Sequence, residues 1–293
     1  MFPFFNLNAL LGGWLNVDNF NTIHLEKIRI MGVLQRIGLS YAVAGILATA
    51  IPSKHLLTTI LTLLFGYWAL LYFGGDAGQQ YEMTHNLGYY LDLKILGENH
   101  LYHGEGVAFD PEGLLSTMTS VATVLCGYWT GKLIQEEKNK EELVKKILTY
   151  GAILLSISVL WDFVFPINKK IWTSSYVVHT AGVDMLIIGI LIAFIDVGKL
   201  KSGFTFFNVF GINSMLAYIV AGVFAKLLLK LHVNVADENG ILKVMNRYNY
   251  YFKNGFQWLG NDKLASFLFA VTFMLVCWAT LYVAYRKKWF LKV

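Results

Sequence analysis

Seven stretches of this chain are almost wholly apolar, and the segments between them hold most of its charges. They run about Ile28 to Ile51, Leu56 to Phe73, Leu114 to Ile134, Ile147 to Phe165, Ser174 to Val197, Phe206 to Leu229 and Leu264 to Tyr285. A hydrocarbon core of about 30 Å needs roughly 20 helical residues to cross it, so each stretch predicts one transmembrane helix. Pro52, Pro111 and Pro166 stand at the edges, where proline ends or begins a helix without breaking its hydrogen-bonded ladder. The opening MFPFFNLNALLGGWLN is short for a complete span and has neither the positive region nor the cleavage site of a signal peptide. It reads as the tail end of a further helix. The expected fold is all-α: a polytopic transmembrane bundle of seven full spans plus an N-terminal partial span, with residues 1–293 as a single domain.

Composition supports this pattern. The chain of 293 residues is 56% hydrophobic, 15% aromatic and 15% charged, with a mean hydropathy of +0.52. It is too apolar for a soluble domain whose surface must face water. The net charge of +5 does not signal nucleic acid, because Lys and Arg sit between and at the ends of the apolar runs. One side of the bilayer receives Lys54, the Lys132 to Lys146 cluster, Lys199, Lys201 and Arg286 to Lys292, and that side is expected to be cytoplasmic. The segments 74–113, PINKKIWTSS and 232–263 then face outward. The implied location is the inner (cytoplasmic) membrane, with the C-terminus cytoplasmic. Cys126 and Cys277 both lie inside apolar runs and read as small buried hydrophobes, and no metal site is expected.

Polar residues inside spans need a partner or a purpose, since an ionisable group at the bilayer centre costs about 2.5–3.5 kcal/mol on insertion scales. Gly32, Gln35, Arg36 and Ser40 form a polar stripe at helical spacing. Arg36 is near enough to the helix start either to snorkel outward or to face the bundle. His179 reads as a hydrogen-bonded interior residue and Asp162 as half of an ion pair with Arg36, Lys169 or Lys170. Asp184 lies near mid-membrane. Asn208 and Asn213 serve as interhelical glue or line a pocket.

The stretch AFDPEGLLST places Asp110 and Glu112 around Pro111 in front of the third span. Capping alone accounts for this local pattern, because carboxylates and proline are favoured in the first turn of a helix. Asn99, His100, His103, Asp110, Glu112, Asn168, Lys169, Trp172, Thr173 and Ser174 gather on the outer face, a set of acids, bases and hydrogen-bonding groups suited to a polar substrate. The nucleophile-elbow, zinc-protease and phosphate-loop signatures are absent from the sequence.

RIMGVLQRIGLSY, LDLKILGENHLY followed by FDPEGLLST, PINKKIWTSSYVVHTAG and FGINSMLAYI together resemble the bacterial relatives of heparan-alpha-glucosaminide N-acetyltransferase, often labelled only as a domain of unknown function. The resemblance implies acetyl transfer from acetyl-CoA on the cytoplasmic side to a sugar or glycan amine on the other. By that resemblance Asp110, Glu112, Asn168, Lys169, Trp172, Thr173 and Ser174 match motif positions at the outer mouth and Arg36 and Asn213 match positions within helices, without a role fixed for any of them. The catalytic candidates are Asp110 and Glu112 together with His100 and His103, which share their face but do not occupy the family's catalytic-histidine position; Arg36, Asn168, Lys169, Trp172, Thr173, Ser174 and Asn213 are the substrate-binding candidates. The resemblance also implies two further helices and most of a third before the first residues here, with the acyl-transferring histidine among them. The chain would then be inactive alone, and would be a truncated paralogue, a sequence with a mis-set start, or one piece of a split protein completed by a separate N-terminal fragment. Two other functions remain in competition: a transporter or flippase-like module with Arg36, Asp184 and the asparagines lining a path, and a non-catalytic scaffold. Basic groups such as Lys132, Lys199 or Lys201 beside a cytoplasmic CoA pocket would favour the enzyme, and repeat symmetry would favour the transporter.

Overall fold

The computed structural model describes residues 28–200, 203–236 and 242–291. They form two compact units, one ending at Lys199 and the other beginning at Leu200. The N-terminal partial span and Lys201 lie outside the described residues. Among the described residues, five helices are long and apolar enough to cross a membrane, or six if one bent pair counts as a single span. The protein is thus an all-α polytopic membrane protein.

In the first unit, α1 (Val33–Ala50) begins after Gly32 and stops before Pro52. Helix α2 (Leu56–Gly74) follows a short 3-10 turn. The segment expected to be a loop between the second and third spans contains α3 (Leu87–Ile95), capped by Asn86, whose Oδ1 accepts from Tyr89 N at 2.9 Å. Helix α4 (Thr117–Glu136) matches the third apolar stretch. Helix α5 (Lys140–Asp162) starts a full two turns earlier than its apolar run, because Asn139 caps it and Glu141 and Glu142 complement the dipole in its first turn. Thr173 caps α6 (Ser174–Ile192), which continues as a π-turn through Ala193–Val197.

Helix α4 packs against α1, α2 and α6 and occupies the middle of this unit. That position explains why it falls short of the apolarity of the other spans: Thr117, Thr119, Ser120 and Thr130 are buried on it. Within a bilayer, helices gain little from the hydrophobic effect and associate through packing and interhelical hydrogen bonds. Such bonds are present here. Ser40 Oγ donates to Ser120 Oγ at 2.9 Å, joining α1 to α4. Ser174 Oγ donates to Leu64 O at 2.7 Å, joining α6 to α2. Leu56, Ile60 and Leu64 meet Val121, Ala122, Leu125, Val177 and Val178 in the apolar core between these helices. Helices α5 and α6 approach most closely at glycines. A Cβ on Gly182 would stand 2.9 Å from Leu155 N and 3.0 Å from Gly151 O.

The second unit departs from its expected pattern. The run from Phe206 to Leu229 is not one helix but two, α7 (Thr205–Ile212) and α8 (Ser214–Lys230), bent by 86° at Asn213. The long segment after it forms an antiparallel hairpin of β1 (His232–Ala236) and β2 (Leu242–Asn246), paired from His232↔Asn246 to Ala236↔Leu242. A short amphipathic helix, α9 (Arg247–Phe256), follows, and then the span α10 (Asp262–Arg286).

Candidate functional site

The first unit gathers its polar chemistry where the starts of α1, α4 and α6 meet α3. Residues 28–30 are held against the turn after α3: Ile30 N donates to His100 O at 3.3 Å, and His100 Nδ1 lies 2.7 Å from Ile28 O. A carbonyl only accepts, so Nδ1 carries the proton and Nε2 is the basic nitrogen of the neutral ring. His103 is arranged likewise, with Nδ1 3.0 Å from Leu101 O. This grip aims Arg29 at the doorstep. Its Nε donates to Asp110 Oδ2 at 2.9 Å and its Nη2 to Asp110 Oδ1 at 2.6 Å, while Nη2 also bonds Glu112 Oε2. The guanidinium lies 4.7 Å from the Tyr102 ring centre. Burial opposes its charge, but the Asp110 and Glu112 carboxylates outweigh that and hold Arg29 above its ordinary range.

The doorstep does not start the helix that its capping pattern predicted: α4 begins only at Thr117, with Ser116 at its N-cap and no acid in its first turn. Asp110 Oδ1 instead accepts from Glu112 N at 3.0 Å within a turn ahead of the helix, and both its oxygens also receive N–H groups of Arg29. An acid so engaged suits positioning better than proton transfer. Glu112 bonds Arg29 through Oε2 only, leaving Oε1 without a protein partner among the described residues.

Arg36 lies in the first turn of α1 and faces inward, only 6% exposed. Snorkelling is thereby ruled out in favour of the bundle. Its Nη1 donates to Pro111 O at 3.0 Å, and its guanidinium stacks 3.9 Å from the Trp172 ring. Ser40 and Ala44 continue this buried line, whereas Gln35 is exposed, so the inward stripe is narrower than its polar sequence pattern. Trp172 adopts a left-handed backbone, φ 50°, which is unfavourable for a bulky residue. The conformation is fixed from three sides: Thr119 Oγ1 donates to its carbonyl at 2.7 Å, its Nε1 donates to Thr123 Oγ1 at 3.3 Å, and its ring meets Tyr176.

Asn168 shapes the turn before α6, its Oδ1 accepting from Lys170 N at 2.8 Å. Thr173 closes that turn by accepting from Asn168 N at 3.0 Å and donating to Pro166 O at 2.9 Å. Lys169 is exposed beside them, and Lys170 pairs with Glu105 at 2.5 Å. Asp162 takes no part in an ion pair among the described residues; it accepts from Ile167 N at 2.6 Å and stabilises the same turn. His179 shares a 3.1 Å hydrogen bond with the buried Ser158. Asp184 lies on the surface of this unit. Asn213 belongs to the second unit, where its Nδ2 donates to Trp289 O at 2.8 Å and its Oδ1 accepts from Leu291 N at 3.1 Å. It anchors the chain end at the helix break.

Two residues of the site escaped the sequence reading. Arg29 was visible only as a basic residue ahead of the first span. Asp92, on α3, is 3% exposed, and its Oδ1 accepts from Leu114 N at 2.9 Å. Burial pushes its carboxyl up to about 6 against the lowering effect of that hydrogen bond, with the Asp110 charge adding to the rise. Gly113 is the residue that permits its approach, since any Cβ there would collide with Asp92 Oδ2.

At the opposite end of α4, Lys132 Nζ donates to Ser53 Oγ at 2.5 Å and lies 3.5 Å from Glu136. The chain matches no protein-family model. It is similar to the heparan-alpha-glucosaminide N-acetyltransferase of Mus musculus, with 31% identity over 246 residues that make up 66% of this chain and 37% of that protein. The Homo sapiens protein of the same name is 30% identical over 251 residues, 68% of this chain and 38% of that one. The chain thus spans well under half the length of these curated relatives. This likeness, extending through about two thirds of the sequence, makes the chain a relative of the heparan-alpha-glucosaminide N-acetyltransferase family.

Proposed function

We propose that the chain belongs to a membrane acyltransferase that moves an acetyl group from acetyl-CoA to the amine of an amino sugar or cell-surface glycan, with the Asp110 doorstep as the acceptor end. The similarity to two N-acetyltransferases carries this reading. The geometry supports it: segments from before α1, before α4 and before α6 converge on one polar mouth. There, Glu112 Oε1 receives the acceptor ammonium, Arg29 and Asp110 keep Glu112 in place, and Arg36 with Trp172 forms the floor. An amine must lose a proton before it attacks a thioester, and Asp92 and the Nε2 of His100 are the basic groups nearest in kind to that task. On this reading the mouth faces out of the cytoplasm, the chain lies in the cytoplasmic membrane, and its C-terminus is cytoplasmic.

Equilibrium binding to the purified chain tests the acceptor assignment without requiring turnover. Labelled glucosamine is expected to bind more tightly than glucose, and Glu112→Gln to remove that preference while leaving the protein folded. Equal binding of the two sugars by the unaltered chain, or an unchanged preference in the variant, would overturn it.

A further inference from the structure

Helices α8, α9 and α10 of the second unit line a partly open apolar cavity of about 680 Å³, within the roughly 300–1,000 Å³ of ordinary small-molecule sites. Its walls include Leu227 of α8 and Phe269 and Phe273 of α10. At 1.5 Å per residue, the stretch from Phe269 to Val276 lies roughly 10–20 Å along α10 from its start, well inside the apolar layer of a spanning helix. Over this space lies α9. Its Tyr248, Phe252 and Phe256, four residues apart, all meet the Phe269 ring edge-on, at 4.9, 5.8 and 5.5 Å. The neighbouring ridge of the same helix, Arg247, Tyr251 and Gly255, lines the cavity.

An apolar cavity at this depth is a poor place for water, which needs two to four polar partners. Left empty, it forfeits the dispersion contacts of its lining. In a bilayer the filler at hand is an acyl chain. The polar end of the lining is cationic: Arg247 is exposed, no described carboxylate pairs with it, and α9 carries Arg247 and Lys253 but no acid. We infer that the cavity is a binding site for an anionic phospholipid, its acyl chain between α8 and α10 and its phosphate at Arg247.

Gly255 supplies an unusually clean probe. A Cβ added there meets nothing within 4 Å, so Gly255→Leu intrudes on the cavity without backbone collision and raises the helix propensity of α9. The full chain is reconstituted in vesicles of phosphatidylcholine and phosphatidylglycerol containing phosphatidylglycerol with a photoactivatable acyl chain, illuminated, and mapped by peptide mass spectrometry. Label is expected on the α8 and α10 peptides that hold Leu227 and Phe273, falling at least fivefold in Gly255→Leu. Arg247→Gln should lower labelling by phosphatidylglycerol to the level given by the matching phosphatidylcholine probe. Thr272→Phe fills the cavity from α10 and decides the matter if Gly255→Leu does not fold. Label spread evenly over all lipid-facing peptides, insensitivity to both filling variants, or protein–protein cross-links placing a second copy or residues 1–27 in the cavity would each overturn the proposal.

Discussion

Asp92 shows how one side chain can couple a structural role to pH. Its carboxyl accepts a hydrogen bond from Leu114 N at the doorstep, yet burial raises it from 3.8 to about 6. A carboxyl raised on folding binds its proton more tightly in the folded state. Its contribution to stability is therefore complete below the unfolded value near 3.9 and is lost as the pH rises through about 6. Thermal melting of the detergent-purified protein should show Asp92 favouring the folded state at pH 4 over pH 7 by on the order of 1–3 kcal/mol. Asp92→Asn keeps an oxygen for Leu114 N and should flatten that part of the profile. An identical pH profile in the variant would show that the carboxyl does not titrate there. Arg29 makes the complementary point, because its charge is stabilised by two carboxylates more than eighty positions away. Nothing in its immediate neighbours distinguishes it from the orienting lysines elsewhere in the chain.

Among the elements, the pairing of α5 with α6 depends on missing side chains. Gly151 and Gly182 face each other across the crossing, and Gly189 sits against Leu148 farther along. Small residues at such a seam let two backbones approach and replace absent hydrophobic drive with packing. Gly182→Leu should therefore force the helices apart and destabilise the protein by about 1–3 kcal/mol. Gly127, exposed on α4 with nothing within 4 Å of an added Cβ, is the control. Gly127→Ala should leave stability unchanged or raise it by about 0.5–1 kcal/mol. Melting temperatures in one detergent measure both, and equal shifts would refute the close-packed seam. The bend at Asn213 belongs to the same scale. The residues from Phe206 to Leu229 are apolar enough for one helix, but the side chain of Asn213 pairs with the backbone at Trp289 and Leu291, a contact that exists only when the chain end folds back.

At the scale of the whole molecule, topology follows from charge and can be checked by accessibility. Gln79 and Glu141 are both exposed and fall in segments assigned to opposite sides of the membrane. Cysteines placed there in a background lacking Cys126 and Cys277 should react with an impermeant thiol reagent from opposite sides only, and labelling from one side would overturn the orientation. Five of the seven apolar stretches recur as helices long and apolar enough to span a bilayer, a sixth as a pair of helices bent by 86°, and the seventh, α4, is a helix whose hydroxyls face the interior. These features were open to the sequence because hydropathy, caps and prolines act over a few residues, through local burial and local hydrogen bonding. The turn ahead of Ser174 was legible for the same reason, whereas the start of α4 was misplaced: Asp110 does not cap it, and the helix begins at Thr117 after Ser116. The partners were not legible. That Arg29 rather than Arg36 meets Asp110, that Arg36 stacks on Trp172, that Asp92 reaches Gly113, and that α8, α9 and α10 leave a cavity all depend on residues distant in the chain. A pattern along the sequence carries the side chain that each position offers, while the contact that gives it a charge partner, a strained backbone or an empty neighbour is made only when the helices pack.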